Sequence, residues 1–237
     1  LPINGTAAQN TKKVVNPDVV AVKPTDFRGL VPKLLVREGD KVLAGTPVLA
    51  DKMSQNILFA SPVSGVVAEV VRGEKRKLLE VRIKADENQE YVDFGKKKVS
   101  EMSAEQIKEA LLAAGLWPAL TQRPYGIIAN PETKPKAIFV SSFSTAPLAA
   151  NLDYALNEEL ANIQTAVDAL AKLTDGGVHV GIGGANESVT PFKKLQNVTF
   201  HTFEGKHPAG NVGVQIHHVS PVQKGEIVWT VSAVMLA

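Results

Sequence analysis

The chain contains no cysteine among its 237 residues. This absence excludes disulfide bonds, thiol catalysis and iron–sulfur ligation by this chain, and it fits a reducing compartment. No apolar run approaches the roughly 20 residues that a membrane-spanning helix needs, and the sequence shows no signal peptide. We therefore expect a soluble protein, or one that is peripheral on a larger membrane assembly.

No sign of charge dominates. Lysine and arginine total 26, aspartate and glutamate total 24, and the net charge is +2, so a general nucleic-acid binder is not indicated. Two short basic runs occur, at 73–77 and 96–98. Such runs are typical of solvated turns, with partner contact as the alternative.

The first 100 residues are rich in short β-type runs separated by turn residues. Glu38-Gly39-Asp40 and Ser61-Pro62-Val63-Ser64-Gly65 are two turns with the layout of a biotinyl/lipoyl carrier domain. Gly39 suits a turn because glycine accepts positive φ. Lys52 is where a carrier lysine would lie, but the stretch from Lys52 to Pro62 is longer than a carrier hairpin needs. An unmodified surface lysine is the main interpretation and a modified carrier lysine the alternative.

The second part alternates strands and helices. A capping box at Ser103–Gln106 predicts a helix that ends at Gly115. A buried strand at 137–140, a helix at 158–173, and strands at 178–182 and 198–203 follow, which indicates βαβ crossovers and a parallel sheet. The predicted class is α/β (α+β overall): a lipoyl/biotinyl-like β-barrel-sandwich domain, then a Rossmann-like parallel α/β domain.

The predicted division is an extended N-terminal segment at 1–16, the β domain at 17–100 and the α/β domain at 101–237. The apolar run 228–237 has no polar tail. We therefore expect the α/β domain to be truncated at its C-terminal end, with apolar surface around 228–236 left uncovered.

Gly181, Gly183 and Gly184 follow a predicted strand, where a dinucleotide-binding turn would lie. The third glycine of that motif is replaced by Asn186, and Glu204 is the only acidic candidate for a ribose. The partial motif leaves two interpretations open, a plain glycine turn and a degenerate nucleotide pocket.

The five histidines do not have the spacing of a metal site. His179 and His201 lie in predicted strands, and His217 and His218 would point to opposite faces if they lay in a strand. No metal is predicted, and no serine-nucleophile elbow is present.

The connection 116–125 mixes Trp117, Arg123 and Tyr125 with apolar residues and two prolines. Such a mixture suits an interface or an apolar ligand with a polar head. A rigid linker that packs between domains is the alternative.

Segments along the whole chain, taken together, resemble the A subunits of the bacterial Na(+)-translocating NADH:quinone reductases. The segments that carry the resemblance are 1–5, 36–40, 51–52, 61–65, 72–76, 115–120, 123–124, 134–140, 146–149 and 207–210, with Gly213 and His217. A more distant likeness is to the electron-transport C subunit of the Rnf complex and to the flavin subunit of complex I.

The resemblance implies a peripheral subunit on the cytoplasmic face of the bacterial inner membrane, in a sodium-pumping respiratory enzyme. It implies that the other subunits are partners, that ubiquinone or menaquinone is the substrate, and that NADH, flavin and Fe–S centres are held by partner subunits. It also implies that this chain binds no redox cofactor and is not catalytic alone, and that the family's chain continues past Ala237.

A quinone needs an apolar slot and donors for two carbonyl oxygens. Trp117, Leu120 and Tyr125 are the predicted lining, with Arg123 or the pair Lys206 and His207 as donors. The functional alternatives are a flavin- or NADH-binding electron-transport domain that uses Gly181–Gly184, and a carrier protein loaded on Lys52.

Overall fold

The computed structural model describes residues 8–10 and 16–237, so most of the predicted N-terminal segment lies outside the described residues. In chain order the strands are β1 (Val19–Val22), β2 (Pro32–Leu34), β3 (Lys41–Val42), β4 (Pro47–Asp51), β5 (Leu58–Ala60), β6 (Gly65–Arg72), β7 (Leu78–Ala85), β8 (Thr121–Arg123), β9 (Ile127–Ile128), β10 (Ile138–Ser141), β11 (Val178–Gly183), β12 (Val198–Phe203) and β13 (Val228–Thr230). The α-helices are α1 (Ala104–Ala113), α2 (Leu152–Ala155), α3 (Leu160–Ala171) and α4 (Val212–Val219).

The chain forms two compact units. Of the described residues, the first unit contains 16–119 and 126–129, and the second contains 8–10, 120–125 and 130–237. Helix α1 groups with the first unit, and the predicted boundary between residues 100 and 101 stays a prediction. None of the helices in the described ranges is long and apolar enough to cross a membrane.

Two antiparallel sheets build the first unit, in the orders β1-β7-β6-β3 and β2-β4-β5. Their inward-facing side chains form a core in which Val48, Leu49, Val81 and Ile83 have no exposed surface. This confirms the predicted barrel-sandwich domain. On β7 the buried residues Val81 and Ile83 flank the partly exposed Arg82, which fixes the register there, because a one-residue slip would turn the two apolar side chains outward.

Both predicted turns are present, for different reasons. Gly39 has φ 88°, as the turn at 38–40 predicts. Gly65 does not have positive φ; it is needed because a Cβ there would lie 2.9 Å from the carbonyl carbon of Lys84 on β7. The capping box is confirmed, since Ser103 Oγ accepts from Gln106 N (3.2 Å) and Gln106 Oε1 accepts from Ser103 N (2.9 Å).

The second unit is a parallel sheet with helices, as predicted. Its strands have the order β12-β11-β10-β13-β8, and β8 alone among these five is antiparallel to its neighbour. Strand β10 is buried along nearly its whole length, which is typical of a parallel strand covered on both faces. Phe139 on β10 packs with Ile216 of α4, and α3 packs against β11 through its apolar stripe.

The apolar C-terminal run differs from the expectation. Strand β13 lies between β10 and β8, and Val228, Trp229 and Val231 are buried. The prediction that this run is uncovered surface is therefore wrong for these residues; in the stretch predicted to be uncovered, the large side chains that remain exposed are those of Val234 and Met235.

Candidate functional site

A cleft of about 1310 Å³ opens at the carboxyl ends of β10, β11 and β12 in the second unit. The chain runs from β10 outward to β11 and β12, then returns to place β13 on the other side of β10. Strand order therefore reverses at β10, and this reversal point is where open α/β sheets bind ligands. The cleft is lined mainly by residues 8–10, 142–155, 183–186 and 203–205, with Thr190.

The loop after β10 is fixed by its own hydroxyl groups. Ser141 Oγ donates to one of two nearby carbonyls, Phe143 O (3.0 Å) and Gly210 O (2.9 Å), and accepts from Gln215 Nε2 (2.9 Å). Ser142 Oγ donates to Gly181 O (3.0 Å). These bonds tie the loop to β11 and to α4, so the cleft wall is held in place before any ligand arrives.

Thr145 joins this loop to the segment that follows β12. Its Oγ1 accepts from Gly210 N (3.0 Å) and lies 3.3 Å from His207 Nδ1. The two segments approach so closely that a Cβ at Gly210 would lie 2.6 Å from Thr145 N. A hydroxyl on the cleft wall and an exposed imidazole are therefore adjacent, and either one can donate a hydrogen bond.

The glycine turn at 181–184 is occupied by the protein's own side chains. A Cβ on Gly181 would lie 2.6 Å from Gln215 Cδ, and one on Gly183 would lie 3.2 Å from the Phe143 ring. A Cβ on Gly184 would lie 2.8 Å from Glu204 Cδ. Only a 3-10 turn, 184–186, begins here, whereas a dinucleotide-binding turn opens a helix whose N-terminus holds the pyrophosphate.

A polar group that sequence reasoning missed lies on the rim. Asp153 of α2 accepts from Thr190 Oγ1 (2.6 Å) through one carboxylate oxygen and from Asn186 Nδ2 (3.3 Å) through the other. Leu148 lines the same cleft and is 95% exposed, so the cleft offers both apolar and polar surface. The contributing residues are 33 and 37 positions apart, and no local pattern could have indicated them.

The six residues predicted to contact quinone lie in different surroundings. Trp117 belongs to the first unit and has no exposed surface, with its indole N–H donating to Ala129 O at 2.7 Å. Leu120, in the second unit, is also buried. Both behave as core residues.

The other four are accessible but separated within the second unit. Arg123 ends β8 opposite Val228, the first residue of β13, so Arg123 and the 68%-exposed Tyr125 lie at the amino edge of the parallel sheet. Arg123 Nε is enclosed without a hydrogen-bond partner in the described part of the chain. Lys206 and His207 follow β12 at the opposite, carboxyl edge, where His207 is next to the cleft.

His179 and His201 form a pair on neighbouring strands, as their predicted strand positions allow. His179 Nδ1 lies 2.8 Å from His201 Nε2, and His179 Nε2 lies 3.1 Å from Gly176 O. Since the carbonyl can only accept, His179 donates from Nε2 and accepts from His201 at Nδ1. Burial lowers the pKa of both imidazoles, and His201 lowers that of His179 further.

The remaining candidates are placed as follows. His217 and His218 lie in the helix α4, so the condition of a strand, under which they would point to opposite faces, does not apply. Within residues 8–10 and 16–237 no group of three His, Cys, Asp or Glu side chains could hold a metal ion. Lys52 is exposed in the loop between β4 and β5, and its backbone N–H donates to Val31 O at 2.7 Å.

The fold and its cleft define the class: a barrel-sandwich hybrid domain, followed in sequence by a Rossmann-like α/β domain with an altered glycine turn. The family model described as the NqrA second alpha/beta domain matches residues 102–236, and the one described as the NqrA N-terminal barrel-sandwich hybrid domain matches residues 1–86. The chain therefore belongs to the NqrA family.

Curated relatives named as the A subunit of Na(+)-translocating NADH-quinone reductase match nearly all of this chain. The protein of Yersinia pseudotuberculosis serotype O:1b (strain IP 31758) is 36% identical over 98% of this chain and 52% of its own length. That of Serratia proteamaculans (strain 568) is 37% identical over 97% and 51%, and that of Pseudomonas aeruginosa PAO1 is 35% identical over 98% and 52%. The chain spans about half the length of these relatives.

Proposed function

We propose that the chain supplies the barrel and first α/β portion of the NqrA subunit in a Na(+)-translocating NADH:quinone reductase. Membership of the NqrA family and the names of the relatives support this assignment. In this proposal the other subunits of the complex are its partners, and the chain lies at the cytoplasmic face of the inner membrane without crossing it. Catalysis then belongs to the whole complex, and NADH, flavin and Fe–S centres belong to partner subunits.

The observation that carries the proposal is the cleft whose glycine turn is already filled. Gln215, Phe143 and Glu204 occupy the space over Gly181, Gly183 and Gly184 where a pyrophosphate would need bare backbone. The cleft at the reversal point is therefore open, but it lacks the bare glycine backbone that would contact a pyrophosphate. This combination favours a small amphipathic ligand over a dinucleotide or flavin.

Titration with three ligand classes tests this distinction. FMN, FAD and NADH, each added at up to about a thousand times the Kd of a tight site, should give no saturable heat or fluorescence change with the 237-residue chain. Saturable one-to-one binding of any of them would instead favour the alternative, an electron-transport domain that uses the glycine turn. Added mass on Lys52 in the intact protein would favour the carrier alternative.

Quinone is the ligand that we place in the cleft. The apolar rim at Leu148 and the ring of Phe143 suit a quinone ring and the start of its tail, and Thr145 with His207 provides a donor for one carbonyl oxygen. A neutral hydrogen bond contributes about 0.5–1.5 kcal/mol, so its loss should raise the quinone KM about two- to thirteenfold.

Paired variants in the complete complex separate the two edges of the sheet. Thr145→Val with His207→Phe removes both donors and should raise the quinone KM and leave the NADH KM unchanged, whereas Arg123→Gln with Tyr125→Phe should change neither. An effect confined to the second pair would move the quinone contact to the amino edge. Unchanged quinone kinetics in both would remove it from this chain, while the assignment to the NqrA subunit would stand.

A further inference from the structure

The tip of the longest hairpin in the described part of the chain concentrates positive charge. Strands β6 and β7 have eight residues each, and the tip between them, residues 72–77, is exposed except at Gly73. It carries four cations, Arg72, Lys75, Arg76 and Lys77, and one anion, Glu74, for a net charge of +3. The whole chain has a net charge of +2, so everything outside the tip sums to −1.

No acidic side chain in the described part of the chain forms an ion pair with these cations. In the described ranges Lys75, Arg76 and Lys77 form no ion pair, in contrast to Arg82 further along β7, which contacts both Glu69 and Glu80 at 2.7 Å. Arg72 Nη1 donates to Arg76 O at 3.2 Å, which holds its guanidinium beside the tip rather than against an acidic partner. The cationic groups therefore face solvent with their charge uncompensated.

The backbone of the tip is unfavourable for the residues that it contains. Lys75 and Arg76 both have positive φ, 52° and 62°, in a closed turn where Gly73 N donates to Lys77 O at 2.8 Å. Asparagine and glycine are preferred at such positions, because other L-residues bring Cβ close to the backbone. Two consecutive long cationic side chains are thus present where the conformation favours neither, which points to a use for the charge itself.

We propose that this basic tip contacts the headgroups of an anionic phospholipid surface. The exposed part of the tip has no large apolar side chain, as Leu78 is buried. Protein–protein interfaces are anchored mainly by Trp, Tyr and Arg side chains, and the exposed tip offers arginine but no aromatic side chain. Attraction to anionic headgroups needs only charge, about fivefold in affinity for each basic residue. The preference for a lipid surface over an acidic protein also rests on the proposed place in a membrane complex.

A substitution that removes charge while improving the turn gives the sharpest test. Lys75→Asn with Arg76→Gly deletes two charges and supplies the residues that the turn prefers. Binding of the 237-residue chain to vesicles of phosphatidylcholine with one quarter phosphatidylglycerol should fall about 25- to 30-fold, from about fivefold per charge. Its unfolding midpoint should stay equal or rise, so a loss of binding could not be attributed to unfolding.

Two matched controls complete the experiment. Lys75→Arg with Arg76→Lys keeps the charge and should bind as the parent does, and Lys96→Gln with Lys97→Gln removes two charges from the other basic run and should also bind normally. Parent binding should vanish on pure phosphatidylcholine and at about 1 M salt, where the Debye length is near 3 Å.

The proposal is overturned if the parent does not distinguish the two vesicle types, or if the Lys96/Lys97 variant loses as much binding as the tip variant. A tip variant that binds vesicles normally but fails to join the membrane subunits would also overturn it, in favour of an acidic protein partner. None of these outcomes affects the assignment to the NqrA subunit. That assignment fails if the parent chain itself does not assemble with the membrane subunits.

Discussion

Replacing Gly181 by alanine should destabilise the second unit although the residue is part of a motif associated with ligand binding. The new Cβ would overlap the carboxamide of Gln215, lying 2.6 Å from Cδ and 3.0 Å from Nε2. Gln215 is only 1% exposed and is held by Ser141 Oγ at 2.9 Å and Ala209 O at 3.3 Å, so it cannot move without breaking these bonds. Overpacking of about 1–3 kcal/mol and about 1 kcal/mol of lost hydrogen bonding give an expected loss of roughly 2–4 kcal/mol.

The assay can be made specific to the second unit. The chain has two tryptophans, Trp117 in the first unit and Trp229 in the second. In a Trp117→Phe background, fluorescence reports Trp229 alone, and urea unfolding then gives the free energy of the second unit.

A double-mutant cycle then decides the cause. Gln215→Ala removes the side chain that Gly181 accommodates, so the double variant should be less destabilised than the sum of the single variants by at least about 1 kcal/mol. If Gly181→Ala alone cost under about 0.5 kcal/mol, or if the two effects were additive, the reasoning that the glycine exists to accommodate Gln215 would be refuted.

Three further outcomes are expected. Ser103→Ala should cost about 1 kcal/mol in urea unfolding through loss of the capping box. Trp117→Phe should cost about 2–4 kcal/mol, because it leaves a cavity and an unpaired Ala129 carbonyl in a buried site, and near-parent stability would contradict the bond. Because the pKa values of His179 and His201 are lowered in the folded state, the unfolded chain binds more protons near pH 6. The free energy of unfolding should therefore be highest above pH 6.5, the ordinary pKa of histidine, and should fall as the pH drops below 6.5. His179→Phe should flatten this pH dependence between pH 8 and 5.5, and an unchanged slope would contradict the prediction.

Local sequence signals predicted most of the fold because they act within a few residues. The turn at Gly39 and the capping box at Ser103 each depend on neighbours in the chain, and both occur as expected. The apolar strands of the parallel sheet were equally visible, since strands covered on both faces have continuous hydrophobic runs.

The parts that the sequence could not indicate depend on distant packing. Gly181 faces Gln215, 34 positions later in the chain, and no periodicity connects a glycine to the side chain that fills its space. The C-terminal apolar run looked like uncovered surface because its strand partners, β10 and β8, are about 90 to 110 residues away. The rim group around Asp153 was missed for the same reason.

Chemical-shift mapping of the isotope-labelled 237-residue chain, titrated with a short-chain quinone and separately with FMN, decides whether the cleft binds quinone or flavin. The quinone should shift amide signals around Thr145, Leu148 and His207 at the carboxyl edge of the sheet, and FMN should shift none saturably. Saturable FMN shifts at Gly181–Gly184, or quinone shifts absent from the cleft, would contradict the proposal.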